Sequence, residues 1–243
     1  MGPPWLSSLP SQIYSAVGET NYRDTFVGSA TTGVEALRSG RRFWGSDINP
    51  VALLISRAKC QPLSPEALSQ DWECLNVRLK AVRRIGRRQL TEREIEEIRA
   101  IDIAHATDEE RFTYWFPQAY REVLEAILFE IVNGTEAAYQ TFYLCGFSNI
   151  LKLTSIWLSG STKPQKDLEK YLADPVEEFQ KQIRDMMKRN ALYWNDLERM
   201  NIDPAFIIER YGLELVDARH LPLEAEALDF LVTSPPYATC YEY

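Results

Sequence analysis

Few residues in this chain have the types and spacing to do chemistry, and they lie towards its two ends. Ser234-Pro235-Pro236-Tyr237 follows an apolar run, Leu228 to Val232. A Pro-Pro pair removes two N–H donors and holds the backbone extended, so the Ser234 hydroxyl and the Pro235 carbonyl can both accept from one ligand group. An exocyclic amine, with two N–H donors, suits that pair. The Tyr237 ring offers a face on which an extruded base can stack, worth roughly 1 to 3 kcal/mol by analogy with single-strand stacking. Alone, the tetrapeptide equally describes a polyproline ligand or an ordinary turn.

Towards the other end, Gly28-Ser29-Ala30-Thr31-Thr32-Gly33 separates a strand pattern from a helix pattern. Small residues there let backbone N–H groups approach a ligand, and the helix dipole favours a carboxylate or phosphate. The turn lacks the lysine of a phosphate-binding loop, and Ala30 interrupts the G-x-G-x-x-G spacing, so triphosphate and NAD readings lose ground. A tight turn in any α/β protein remains the plain alternative. Asp47 stands nineteen residues after Gly28, near the roughly 20-residue spacing at which an acid grips ribose hydroxyls. That points to a nucleoside derivative. Asp217 would end a third strand at the same edge, close to an adenine ring, or serve as a turn or helix cap.

These residues need a scaffold that brings strand ends together. Residues 22–59 read as strand, Gly-rich turn, helix, strand, helix, the βαβ unit of a parallel sheet. Asn21-Tyr22-Arg23 is polar for a central strand. From about 65 to 211 the periodicity is helical, with candidates at 65–84, 91–100, 108–132, 135–158 and 175–200 and no convincing strand. Strand patterns return at 213–217 and 228–233. The expected division is therefore 1–60 for the first part of a core, 61–211 for an all-α insertion, and 212–243 for the return to the core.

Taken together, the motifs resemble the DNA amino-methyltransferase family, whose members move a methyl group from S-adenosylmethionine to cytosine N4 or adenine N6. Phe26-Val27-Gly28-Ser29-Ala30-Thr31-Thr32 is similar to the family's F-x-G-S-G-T-T cofactor motif, with Ala30 in place of Gly and Thr25 where Pro is usual. Gly40 to Pro50 resembles its continuation, and Thr233 to Tyr237 resembles the catalytic motif. The resemblance implies an α/β fold with a Rossmann-like methyltransferase core, incomplete at its C-terminus, carrying a large all-α insertion. It implies a cofactor site at Asp24, Phe26, Gly28, Ser29, Ala30, Thr31, Thr32, Asp47 and Asp217. Ser234, Pro235, Pro236 and Tyr237 would act on a flipped base, in a restriction-modification setting. Cytosine N4 is favoured because Ser leads the motif. The alternatives are adenine N6, an RNA or small-molecule amine, and an inactive or partial subunit that binds only DNA or a partner chain.

Charge narrows the partners further. The net charge of −8 excludes a surface that coats polyanions throughout, so any contact with double-stranded DNA is local. Arg83, Arg84, Arg87 and Arg88, within the run 78–93, are the candidates; a solvated face paired with the acids at 92–97 is the equal alternative. Cys60, Cys74, Cys145 and Cys240 form no C-x-x-C, and His105 and His220 are the only histidines, so no metal is expected. No apolar run approaches the roughly 18 residues of a membrane span. A soluble, cytoplasmic protein is expected, with no membrane partner and with a second chain that completes the core as a candidate partner.

Overall fold

The computed structural model describes residues 21–161, 163–221 and 229–234. The chain divides into two compact units, one taking in the residues up to Ser64 and from Asn190 onward, the other running from Pro65 to Arg189.

The first unit is α/β. Strand β1 (Asn21–Asp24) leads through a turn into helix α1 (Thr31–Arg38), then β2 (Arg42–Asp47) and α2 (Pro50–Cys60). After α8 (Pro175–Arg199), whose last residues belong to this unit, a 3-10 helix at Pro204–Arg210 leads into β3 (Tyr211–Leu215), and β4 is Phe230–Leu231. All pairings are parallel and the strand order is β3-β2-β1-β4. The register sets Asp24 against Gly45 and Asp47 against Leu215. Parallel strands point their C-terminal ends to one edge, and chain order reverses between β1 and β4, which is where ligands bind in open α/β sheets. The fold is that of a Rossmann-like α/β core.

Helix α1 packs on β1 and β2, and α2 on β2 and β3. Phe43, Leu37, Leu53 and Cys60 form the core beneath them with Leu197 and Ile207. Those last two residues explain why the return to this unit begins at Asn190 and not at the expected 212: the end of α8 and the 3-10 helix bury their apolar face here. Gly33 permits the close approach of α1, since a Cβ there would lie 2.6 Å from the Phe43 ring. The polarity of β1 also has a structural account. Tyr22 is buried and stacks on Phe230, while the Arg23 guanidinium lies over the Trp44 ring and is lowered by burial to about 10, against the opposing pull of Glu214.

The second unit is helical: α3 (Pro65–Leu79), α4 (Glu92–Ala100), α5 (Asp108–Trp115), α6 (Gln118–Gly134), α7 (Ala137–Ile150) and the first part of α8. The helix expected across 108–132 is two, because the residue before a proline is driven out of the α region; Phe116 is extended (φ −126°, ψ 111°) ahead of Pro117. The helix expected to reach 84 ends at Leu79, and the following loop is held by Asp174, whose Oδ2 accepts from the Ile85 and Gly86 N–H groups at 2.9 and 2.8 Å. The helix expected to run to 158 stops at Ile150, where the Thr154 hydroxyl takes the Ile150 carbonyl. Among the described residues no helix is long and apolar enough to cross a membrane.

Candidate functional site

The site candidates of the first unit gather at the C-terminal edge of its sheet. Strand β1 ends at Asp24, β2 at Asp47, and Thr233-Ser234 follows β4. Between β1 and α1 the chain makes a tight turn in which the Ala30 N–H donates to the Val27 carbonyl at 2.7 Å. Gly28 takes φ +51°, and a Cβ built there would meet only the Phe26 carbonyl oxygen, at 3.8 Å, so the outer side of the turn is open.

Asp47 organises this turn. One oxygen, Oδ2, accepts from the Gly28 N–H at 3.0 Å, and Oδ1 accepts from the Asn49 N–H at 2.9 Å. Asn49 in turn caps α2 through Val51 N–H. Each carboxylate oxygen has more than one lone pair, so both can still accept from a ligand. From below, the buried Ser56 hydroxyl donates to the Gly28 carbonyl at 3.1 Å.

Helix α1 starts without a side-chain cap and without an acid in its first turn. Its N-cap residue is Ala30, held in the left-handed region (φ 55°, ψ 35°), where glycine is at ease and alanine is strained. The leading N–H groups of the helix, at Thr31 and Thr32 beside exposed Ser29, are therefore offered to an anion. An open glycine turn, an uncapped helix start and a carboxylate with spare lone pairs fit the methionine carboxylate and ribose of S-adenosylmethionine.

Asp24 is buried. Its Oδ1 accepts from the Phe26 N–H at 3.1 Å and from the Thr233 hydroxyl at 3.0 Å. Burial pushes its carboxyl above the ordinary carboxylate range; these two bonds and one from the Thr32 hydroxyl pull the other way, and the Asp47 charge adds to the rise. The Thr25 hydroxyl lies 3.4 Å from that of Thr233. Sequence reasoning named Thr25 and Thr233 only as positions in their motifs, without a role, and did not name Ser56; their one signal is a hydroxyl at a strand end or on an inward helix face.

Asp217 follows β3 in a turn where its carboxylate accepts from the Arg219 guanidinium, at 2.6 Å on Nη2, and from the Arg219 backbone N–H. Those bonds hold it down to about 2. An adenine amine there would have to share an oxygen with Arg219. Ser234 is exposed, while Pro235, Pro236 and Tyr237 lie outside the described residues.

In the helical unit the basic run is largely matched by acids. Arg88 meets Glu94 through two 2.7 Å bonds, which hold the Glu94 carboxyl down to about 2 and raise Arg88. Arg84 pairs with buried Asp174 at 3.3 Å, and Arg83 approaches Glu122 only to 3.9 Å, with both side chains exposed. Arg87 is exposed and makes no ion pair among the described residues.

No family model and no solved structure matches the chain. A curated protein, the type II methyltransferase M.MvaI of Kocuria varians, is 29% identical over 221 residues, which cover 88% of this chain and 45% of that protein. The chain thus spans less than half the length of this relative. The match supports a DNA methyltransferase family and does not specify the amine-methylating subtype that the motifs resemble.

Proposed function

From that relationship to a type II methyltransferase, we propose that the chain is the core portion of an S-adenosylmethionine-dependent DNA methyltransferase acting on an exocyclic amine, with cytosine N4 as the favoured target. The observation that carries the reading is the convergence of Asp47, the open Gly28 turn and the uncapped start of α1 at one sheet edge, beside the strand end that leads to Ser234.

When bound, S-adenosylmethionine supplies an electrophilic methyl group. Asp47 would hold the ribose hydroxyls, and the Gly28 to Thr32 backbone would hold the methionine carboxylate. The Ser234 hydroxyl, with the Pro235 carbonyl, would accept from the amine N–H groups and turn its lone pair towards the methyl carbon. The proton that the methylated amine sheds would pass by way of the Ser234 hydroxyl to solvent, to which that residue is exposed. Tyr237 would stack on the flipped base. Of the four arginines, Arg83 and Arg87 are the ones whose charge remains for phosphates.

The test is transfer of labelled methyl to duplex DNA, followed by mass spectrometry of the nucleosides. N4-methylcytosine supports the reading, and N6-methyladenine moves the target to adenine. Label in RNA or a small amine alone, or in nothing, overturns it.

A further inference from the structure

Strand β4 pairs with β1 at only two positions, Tyr22 with Phe230 and Arg23 with Leu231. A ladder that short specifies register weakly, and a slip of one residue would turn Ser234 to the other face of the sheet. Backbone continuity adds one bond past the ladder, from Val232 N–H to the Arg23 carbonyl at 2.9 Å, and the Asn21 N–H meets the Asp229 carboxylate at the opposite end. At the ligand-facing end the tie is made by side chains.

A threonine hydroxyl has one proton. The Thr233 proton goes to Asp24 Oδ1, so in the 3.4 Å contact between Thr25 and Thr233 the donor is Thr25. The result is a directed chain, Thr25 to Thr233 to the Asp24 carboxylate, in which each bond polarises the next. Asp24 and Thr25 are 6% and 7% exposed, so water reaches this chain from the side of the exposed Thr233 alone. Asp24 also holds the Phe26 N–H at the start of the cofactor turn.

We propose that Thr25 and Thr233 are positioning residues: they clamp the end of β4 to Asp24 and so fix Ser234 relative to the turn between β1 and α1. The effect on methyl transfer rests on the proposed function; the clamp itself does not. Thr25 stands where the resembled motif usually has Pro, which has no hydroxyl and could not supply the first link.

The test compares Thr233→Val, which replaces the hydroxyl with a methyl of similar size, with Thr233→Ser, which keeps the hydroxyl. Amide exchange followed by NMR should show the Val232 N–H at least tenfold faster in Thr233→Val, with the Ser234 amide resonance shifted. The Val27 N–H, bonded to the Ser46 carbonyl, should be unchanged, and Thr233→Ser should restore both probes. Thr25→Val should give a smaller change in the same direction. In transfer assays Thr233→Val should lower kcat at least tenfold with the cofactor KM within threefold, and serine should rescue it. Unchanged exchange at Val232 overturns the clamp, and faster exchange with parental kcat overturns the positioning role. A parent chain that methylates nothing sinks the proposed function, while exchange at Val232 and the Ser234 resonance still decide the clamp.

Discussion

The two units spend their charges differently. In the helical unit Arg84 and Arg88 meet Asp174 and Glu94, and the loop between α3 and α4 is built on those contacts. At the sheet edge Asp24 and Asp47 are held only by backbone N–H groups and hydroxyls, with no cation paired to either among the described residues. Charge neutralised within a unit serves architecture. Charge left with spare acceptor capacity at the strand ends is what a ligand can use, and a sequence shows both as the same letters.

The sharpest way to break this contrast is Asp174→Ala. Its carboxylate, fully buried, accepts from the N–H groups of Ile85, Gly86, Val176 and Glu177. Each stranded buried donor costs about 1 to 3 kcal/mol, so the helical unit should lose at least about 3 kcal/mol by denaturant unfolding. A loss under about 1 kcal/mol would mean that water replaces the carboxylate and that the arginine contacts are ornamental.

Asp47→Ala comes next. Each charge-assisted bond to a ribose hydroxyl is worth about 1.5 to 3 kcal/mol, and the Gly28 N–H also loses its acceptor. Calorimetry should show S-adenosylmethionine binding weakened at least tenfold, with the helical unit unaffected. Unchanged affinity would remove Asp47 from the site.

Acid should separate the two units. Burial would raise Asp174, yet its backbone bonds and Arg84 hold it below the ordinary value, and Glu94 is held down to about 2. Their contributions are complete above the unfolded values near 4 and are lost as pH falls towards about 2. Asp24 is raised by burial, so its contribution has the opposite sign: it is present below the unfolded value and lost as pH rises through the folded one. Between pH 4 and 2, amides of α4 should lose protection before those of β1. The reverse order would contradict these assignments.

The same logic divides the basic run. Replacing Arg83 and Arg87 with Glu should flatten the salt dependence of DNA binding by about 0.9 per lost phosphate contact and leave stability nearly unchanged. Arg88→Glu should instead place a like charge against Glu94 and destabilise α4. A salt slope that stays the same in the first variant would assign the whole run to structure.

How far the sequence could be read follows from the range of the interactions involved. The β1–α1–β2 segment was legible because its Gly28 to Gly33 turn and the Asp47 spacing are local signals. The break at Phe116 was equally local, written in Pro117, and was overrun by the apolar periodicity on either side. What stayed hidden depends on partners far apart in the chain: Leu197 and Ile207 joining the core of residues 22–60, Asp174 reaching the loop at 85–86, and Thr233 reaching Asp24. No period or spacing encodes such pairings. The partner of Arg84 was hidden for the same reason, since Asp174 lies far along the chain, whereas the Arg88–Glu94 pair falls within the pairing with the acids at 92–97 that the run offered as the alternative to phosphate.

The smallest effect is expected at Ala30, and it bears on whether the sheet edge keeps its ligand geometry despite the departure from the motif. Alanine in the left-handed region is strained by roughly 1 to 2 kcal/mol, which Ala30→Gly would relieve. Glycine gives back about 0.5 to 1 kcal/mol in chain entropy, and the buried methyl, fully shielded in the core, contributes about 0.8 kcal/mol. These terms nearly cancel, so stability should change by less than about 1 kcal/mol. Because Ala30 already adopts the backbone conformation that a glycine takes, and its methyl faces the core and not the open side of the turn, S-adenosylmethionine affinity should change less than threefold. A gain above tenfold in Ala30→Gly would mean that the methyl distorts the turn, and the open edge inferred from Gly28 and Asp47 would then be only partly formed.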